Sequence, residues 1–226
     1  MTVTSTSEDA IVNALRDAIL SRKLAPGTRL REVRLGKILG ASRGEVRKAL
    51  NRLTHEGLVE HQLNRGAAVA QPSAQEAKEL FAARKCIEVA VARIAAQNMT
   101  PSGLKRLQEH LSREQKAREH GDMAQIVALS GEFHILIAEI AGNAPLKRYL
   151  EDLVARESLI IQLFGIRAHD NCSRDEHAEI VAALQTRDDE LISNMVEEHI
   201  EGIAAGLDLN LRPAETLSLE EILLGE

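Results

Sequence analysis

Three histidines in the second half of the chain have the residue type and the placement that metal binding requires. His134, His177 and His199 lie on three different predicted helices, each among apolar residues repeating at helical spacing. Each imidazole is therefore expected to face the interior. A single inward histidine is more often a core residue with satisfied hydrogen bonds, whereas three in one interior indicate a site for a divalent ion such as Zn²⁺ or Ni²⁺.

A second set of candidate functional residues is cationic and lies near position 45. Ser42 and Glu45 form a capping-box pattern that predicts a helix beginning at this serine. Arg43 lies in its first turn, and Arg47 lies off its apolar line. Arginine side chains near the start of such a helix can donate paired hydrogen bonds to guanine edges and phosphates in a DNA major groove. A solvated basic helix face is the alternative that this pattern leaves open.

The segments around this helix complete a winged helix-turn-helix. Apolar periodicity predicts helices over about 8–22 and around 35–39, and Gly40 ends the second of them. Residues 58–62 and 67–70 read as two short strands on either side of Asn64-Arg65-Gly66. Gly66 permits a tight turn, and Arg65 at its tip is placed to enter the minor groove or to bind a phosphate.

Charge is distributed unevenly along the chain, although the net charge is −6 at pH 7. Residues 1–72, here called the head, contain 12 Lys+Arg and 7 Asp+Glu, so the head carries +5 and the remainder −11. A basic head attracts a phosphate backbone, and an acidic remainder disfavours non-specific binding to it. On charge alone, chance segregation explains the pattern equally well.

Only helical patterns follow the head, so the fold class is predicted to be mainly α, with the winged helix-turn-helix followed by an all-α bundle of about six helices. The bundle is assigned to residues 73–210, here called the body, and residues 211–226 form a tail without an assigned role. Cys86 and Cys172 lack CxxC spacing and are interpreted as packing residues. With no signal peptide and no apolar run of roughly 18 residues, a cytoplasmic protein is expected.

One ordered series of residues runs through the head: Leu24-Ala25-Pro26-Gly27, Leu30-Arg31-Glu32, Leu39-Gly40-Ala41-Ser42-Arg43, Val46-Arg47, Ala49-Leu50, Glu56-Gly57-Leu58-Val59, Asn64-Arg65-Gly66 and Val69. Over about residues 8–70 this series resembles the GntR family of regulators. The resemblance implies that the helix over 43–53 enters the major groove, where Arg43 and Arg47 touch guanine or phosphate. Ser42 and the wing at Arg65-Gly66 are implied to assist.

Two positions depart from the usual GntR pattern. Thr-Pro commonly follows the Ser-Arg pair, where this chain has Gly44-Glu45, and Glu commonly follows the second arginine, where it has Lys48. Gly44 removes one side-chain contact from the DNA-binding helix. We therefore expect an altered operator preference with an unchanged docking mode.

The body contains a further series, Phe133-His134, Gly142-Asn143, Glu176-His177 and His199. Through it the body resembles, more loosely than the head, the FCD effector domain of the FadR subgroup over about residues 76–207. In metal-binding members three histidines, matching His134, His177 and His199, hold the ion with an Asp or Asn four residues before the first. That position is Ser130 here, which implies a weaker site, a water as fourth donor, or no bound ion.

The same resemblance implies a small carboxylate-like effector that reaches the metal, with an arginine matching Arg84 helping to neutralise it. Arg84 lies three residues after Phe81 and three before Ile87, so it borders the apolar face of its helix. A surface or interhelix salt bridge is an equally good interpretation of Arg84. The other histidines are interpreted as surface residues: His55, His61, His110, His120 and His169.

Together these features predict a DNA-binding transcriptional regulator, expected to be a repressor, that acts as a homodimer on palindromic operator DNA and responds to a metabolite. The alternative is a metal-dependent hydrolase or dioxygenase using the three histidines, with Glu132 and Glu176 as general bases. The sequence has no HExxH motif, no nucleophile elbow and no phosphate-binding glycine loop, and a DNA-binding head has no evident purpose in an enzyme.

Overall fold

The computed structural model describes residues 7–21, 23–62, 66–165 and 176–207. Its fold is mainly α, as predicted, with nine helices and one three-stranded sheet in the described part of the chain. The chain divides into two compact units. One comprises the described residues of Met1–Pro72 together with Ser158–Phe164, and the other comprises Ser73–Glu157 and the described residues of Gly165–Leu209.

The head consists of three helices and a small antiparallel sheet. The elements, in chain order, are α1 (Glu8–Leu20), β1 (Arg29–Leu30), α2 (Glu32–Leu39), α3 (Arg43–His55), β2 (Val59–Gln62) and β3 (Gly66–Val69). β3 lies between β1 and β2, and Ala68 pairs with Arg29 on one side and with Glu60 on the other. The winged helix-turn-helix is therefore present, with a first strand that sequence patterns did not predict.

The third helix begins where the capping box predicts. The Ser42 hydroxyl accepts from the Glu45 amide, and the Glu45 carboxylate accepts from the Ser42 amide at 2.8 Å. Val46, Leu50 and Leu53 are buried along one face, as predicted. This burial fixes the rotation of α3, so Arg43 and Arg47 lie on its exposed face.

A close backbone approach sets the turn between α2 and α3. Gly40 ends α2 in the left-handed conformation, with φ of 62°. A Cβ on Gly36 would lie only 2.8 Å from the carbonyl oxygen of Ala41, so a larger residue there would force the turn apart. These two glycines hold the start of α3 close to α2.

The body consists of six helices in its described residues. They are α4 (Ala74–Gln97), α5 (Pro101–His120), α6 (Met123–Ala141), α7 (Ala144–Phe164), α8 (Glu176–Thr186) and α9 (Asp189–Gly206). α4 packs against α6, α8 and α9, and α5 packs against α6 and α8. Ser73 with Glu76 forms a second capping box, and Thr100 caps α5. No described helix combines the length and apolar character needed to cross a membrane.

Two interpretations of single residues were wrong. Cys86 is exposed on α4 and is not a packing residue. His110 is 4% exposed and is not a surface residue, because its Nε2 lies 2.9 Å from the Leu129 carbonyl oxygen inside the bundle. Cys172, His169, the Arg65 wing tip and the 211–226 tail lie outside the described residues.

Candidate functional site

The fold brings the three predicted histidines together inside the body. His134 on α6, His177 on α8 and His199 on α9 are all buried. The Nε2 atom of His199 lies 3.2 Å from the Nε2 of His177 and 3.2 Å from the Nε2 of His134. The ring of Phe133 stacks on His177, with 4.0 Å between ring centroids. Three helices thus direct one imidazole nitrogen each toward one point.

A carboxylate lies beside the outer nitrogen of each of these imidazoles. Nδ1 of His134 is 2.6 Å from Glu88. Nδ1 of His177 is 2.8 Å from Glu114, and Nδ1 of His199 is 2.8 Å from Glu176. A carboxylate at Nδ1 favours the tautomer that donates there, which leaves the Nε2 lone pair directed inward.

Burial lowers the pKa of His134 well below its ordinary value, and burial likewise lowers the pKa of His199. Both rings are therefore neutral near pH 7 and present lone pairs. Burial raises the pKa of Glu114, but hydrogen bonds from His110 and His177 outweigh it and lower this pKa to about 2. The neutral imidazoles of His134 and His199, with the ionised Glu114 nearby, suit a divalent cation.

The separations also suit one ion. Two nitrogens 3.2 Å apart lie closer than twice the roughly 2.0–2.1 Å of a zinc–nitrogen bond, so a single ion can contact both. Among the described residues, the group of potential ligands at this point is His134, His177 and His199. Ser130, one turn before His134 on α6, is half-buried.

Arg84 belongs to a buried ion cluster next to the histidines. Its Nε donates to Glu88 on the same helix, and its Nη1 lies against Glu157 on α7. Since the other oxygen of Glu88 lies beside His134, Glu88 links the arginine to the imidazole. The interhelix salt bridge left open by the sequence is therefore present. Burial also raises the pKa of Glu157.

A small cavity adjoins His134 and Glu88. It has room for roughly one water molecule and is lined by these two residues and six aliphatic side chains, among them Ile137, Leu150 and Ile180. One end of this cavity is therefore polar and its remaining wall apolar. Arg84 is not among its lining residues and lies behind Glu88.

The head presents its predicted DNA-binding residues on one exposed surface. Ser42, Arg43, Gly44 and Arg47 are exposed at the start of α3. Gly66 opens β3 with φ of 80°, which a side chain rarely adopts, as expected for the wing turn.

Comparison with known proteins agrees with both parts of the chain. The FCD domain model matches residues 79–202, and the model of bacterial regulatory proteins of the gntR family matches residues 7–69. The chain belongs to the GntR family and carries an FCD domain.

Relatives of this GntR protein are named as transcription regulators. The HTH-type transcriptional repressor RspR of Escherichia coli (strain K12) is 29% identical over 199 residues, or 86% of each chain. The probable D-xylose utilization operon transcriptional repressor of Paenarthrobacter nicotinovorans is 27% identical, covering 88% of this chain and 86% of that one. The solved structure of E. coli McbR/YncC matches with a TM-score of 0.74 and 25% identity, covering 89% and 97% of the two chains.

The protein is thus a DNA-binding transcriptional regulator with an FCD domain, and not an enzyme. The metal-dependent hydrolase or dioxygenase finds no support among these relatives. Sequence reasoning nevertheless missed four buried polar residues near the histidines: Glu88, Glu114, Glu157 and His110. For Glu88, Glu114 and His110 the available signal was helical spacing, since Glu88 follows Arg84, and Glu114 follows His110, by four residues.

Proposed function

We propose that this GntR regulator is a repressor whose operator affinity is controlled by a small carboxylate metabolite bound at a divalent metal in the body. The observation that carries this proposal is the convergence of three buried Nε2 atoms, each on an imidazole whose Nδ1 is held by a carboxylate. Such outer carboxylates orient histidines for metal binding and raise their basicity.

His134, His177 and His199 are the proposed ligands, and Zn²⁺ or Ni²⁺ is the proposed ion, because neutral imidazole suits both. Ser130 or a water is the proposed further donor. When bound, the ion supplies positive charge that attracts an anion. Glu88, Glu114 and Glu176 surround the imidazoles, so the site is acidic and a cation would offset this charge.

The cavity next to His134 is the proposed place of the effector. In this structure it has room for roughly one water molecule, so its aliphatic wall must move apart to admit even a small metabolite. The carboxylate of such a molecule would lie toward the histidines, and its carbon atoms would contact the aliphatic wall. Arg84 is proposed to assist through its positive charge: Nη1 is paired with Glu157, and Nη2 makes no hydrogen bond.

On the DNA side, Arg43 and Arg47 are the proposed base and phosphate contacts, assisted by Ser42, Gly44 and the wing at Arg65-Gly66. A homodimer on palindromic operator DNA is proposed because a single winged module has too small an interface for high specificity. Repression is proposed because two relatives bear the name of repressor.

The metal half of the proposal is tested on protein purified without an affinity tag. We expect about one Zn²⁺ or Ni²⁺ per chain by elemental analysis, and a metal-dependent rise in melting temperature with one member of a panel of small carboxylates. His177→Ala should lose the metal and the carboxylate response. His120→Ala is the matched control, because His120 is an exposed histidine of the same domain. Equal metal content in both variants would contradict the site.

The DNA half is tested with a duplex selected by the wild-type protein from a random library. Arg47→Ala should abolish binding to this duplex in a gel shift without unfolding the protein. His177→Ala should leave binding in the absence of effector largely intact. Undiminished binding by Arg47→Ala would show that α3 is not the DNA-recognition helix.

A further inference from the structure

One carboxylate contacts both proposed DNA-reading arginines. Glu32 is the first residue of α2, and the short turn at Gly40 brings α3 beside it. Glu32 Oε2 accepts from Nε of Arg43 at 2.5 Å. Arg47 donates from Nε to Oε1 at 3.0 Å and from Nη2 to Oε2 at 3.2 Å.

Glu32 contacts one edge of the Arg47 guanidinium, which leaves the other edge of this group free. A guanidinium has five N–H donors, and the pair formed by Nε and Nη2 lies on its side. The donors at the end of the group, on Nη1 and the outer hydrogen of Nη2, point away from this carboxylate. A guanine accepts two parallel N–H donors at O6 and N7, so Arg47 can bind a guanine while Glu32 still holds it.

Exposure places the carboxylate behind the arginines. The Glu32 side chain is 24% exposed, whereas those of Arg43 and Arg47 are 66% and 55% exposed. A ligand that approaches α3 therefore meets the guanidinium groups before it meets the carboxylate. Hydrogen bonds from Arg47 and then Arg43 lower the pKa of Glu32 to about 2, so it stays ionised wherever DNA binding is measured.

The charges explain why such a residue is useful there. Arg43 and Arg47 are four residues apart on one helix, where like charges repel each other. Without a partner, each flexible side chain would turn away from the other and toward any nearby phosphate. Glu32 offsets one of the two positive charges and joins both groups, which restricts their rotamers before DNA arrives. Exposed ion pairs add little to stability, so a role in folding is a weak explanation of this contact.

We propose that Glu32 is a positioning residue for DNA specificity: it holds Arg43 and Arg47 with their free donors toward the base edges and weakens binding to non-operator DNA. This inference rests on the proposed role of the two arginines in reading DNA. It extends that role by assigning discrimination, as distinct from affinity, to an acidic residue on the neighbouring helix.

The test compares Glu32→Gln with Asp9→Asn. Asp9 is a matched control because it also lies in the first turn of a helix and pairs with an arginine of α3, Arg52, at 2.5 Å. Each variant removes one negative charge from the head. Dissociation constants are measured for the library-selected duplex and for a shuffled duplex of equal length, over a range of salt concentrations, with melting temperatures to establish folding.

We expect Glu32→Gln to bind the shuffled duplex more tightly and to lose about fivefold or more of its preference for the selected duplex, since a bidentate arginine–guanine contact discriminates by roughly 5- to 150-fold. Its salt dependence on the shuffled duplex should steepen by about one unit, as a released arginine takes up a phosphate. Asp9→Asn should keep the wild-type preference within twofold. Glu32→Asp, which keeps the charge, should recover part of the preference.

An unchanged preference in Glu32→Gln, or the same change in Asp9→Asn, would overturn the inference. The Arg47→Ala variant distinguishes an error in the role of Glu32 from an error in the proposed DNA-binding surface. If Arg47→Ala loses the selected duplex while Glu32→Gln keeps its preference, only the role of Glu32 is wrong. If Arg47→Ala binds as wild type does, the DNA-reading surface itself is wrong.

Discussion

The head and the body each contain an ion cluster of three side chains, with the signs reversed. In the head, Glu32 lies between two exposed arginines, and the cluster carries one positive charge in excess. In the body, Arg84 lies between Glu88 and Glu157, and all three side chains are at most 6% exposed. The exposed cluster has charge available for a polyanion. The buried one lies beside imidazoles that suit a cation.

The difference in exposure predicts a difference in what each cluster does for the fold. Water solvates the head arginines whether or not they are paired, so breaking that cluster costs little stability. Water does not reach the body cluster, so removing its one cation leaves buried carboxylates without a counter-charge. We therefore expect the same chemistry to serve recognition in the head and to hold the architecture around the histidines in the body.

The largest effect is expected from Arg84→Met, which keeps much of the side-chain volume and removes the charge. Breaking a buried ion pair typically costs about 3–5 kcal/mol, because the remaining partners stay buried and unpaired. We expect a loss of this size in the free energy of unfolding of the body. Urea unfolding followed by Tyr149 fluorescence measures it, since Tyr149 is the one tyrosine and the chain has no tryptophan.

Arg113→Met is the control for that comparison. Arg113 pairs with Glu132 on the surface of the same domain, with side chains 59% and 54% exposed. Its loss should cost less than about 1 kcal/mol. Equal losses in the two variants would remove the distinction between buried and exposed clusters.

The two capping boxes are a case in which head and body should respond alike. Ser42→Ala and Ser73→Ala each remove the hydroxyl that accepts the third helical amide. Each should cost about 1 kcal/mol in its own domain, because both caps are solvent-exposed. Hydrogen exchange followed by mass spectrometry reports on α3 and α4 separately. A cost confined to one domain would show that the surroundings outweigh the local motif.

A smaller effect with a defined pH dependence is expected from Glu32→Gln. The pKa of Glu32 falls from 4.5 to about 2 on folding, so its ionised form stabilises the head above the unfolded value. This contribution is lost as the pH falls through about 2. The wild type should therefore exceed Glu32→Gln in stability by less than about 1 kcal/mol at pH 7, and the difference should shrink from pH 4.5 downward. Thermal melts of both proteins across this range measure it, and a gap that widens in acid would contradict the assignment.

The smallest effect on stability is expected from Gly44→Thr, which restores the residue common in GntR proteins. A Cβ at Gly44 would meet only the Ser42 hydroxyl at 3.9 Å, so the added side chain has room. Stability should change by only a few tenths of a kcal/mol, near the difference in helix propensity between the two residues. Operator preference should change instead, measured by repeating the library selection. A loss of stability above about 1 kcal/mol would contradict the open space at this position.

The parts of the fold that depend on short stretches of chain could be predicted from sequence. The caps at Ser42, Ser73 and Thr100 depend on residues within one turn, and the buried line of α3 follows from apolar spacing. β1 could not be predicted, because Arg29-Leu30 has no periodicity of its own. It is a strand only through its pairing with Ala67 and Ala68, almost 40 residues away.

The same division holds at the candidate sites. The sequence by itself determined that three imidazoles face one interior and that two arginines face outward, because helical spacing sets the direction of each side chain. Only the tertiary structure decided which carboxylate each of them contacts. Glu88 follows Arg84 and Glu114 follows His110 by four residues, but such pairs are solvated in most proteins. Nothing local distinguishes Glu32 from a solvated glutamate. Their partners lie on other helices, and the packing of those helices determines the charge that each pair presents.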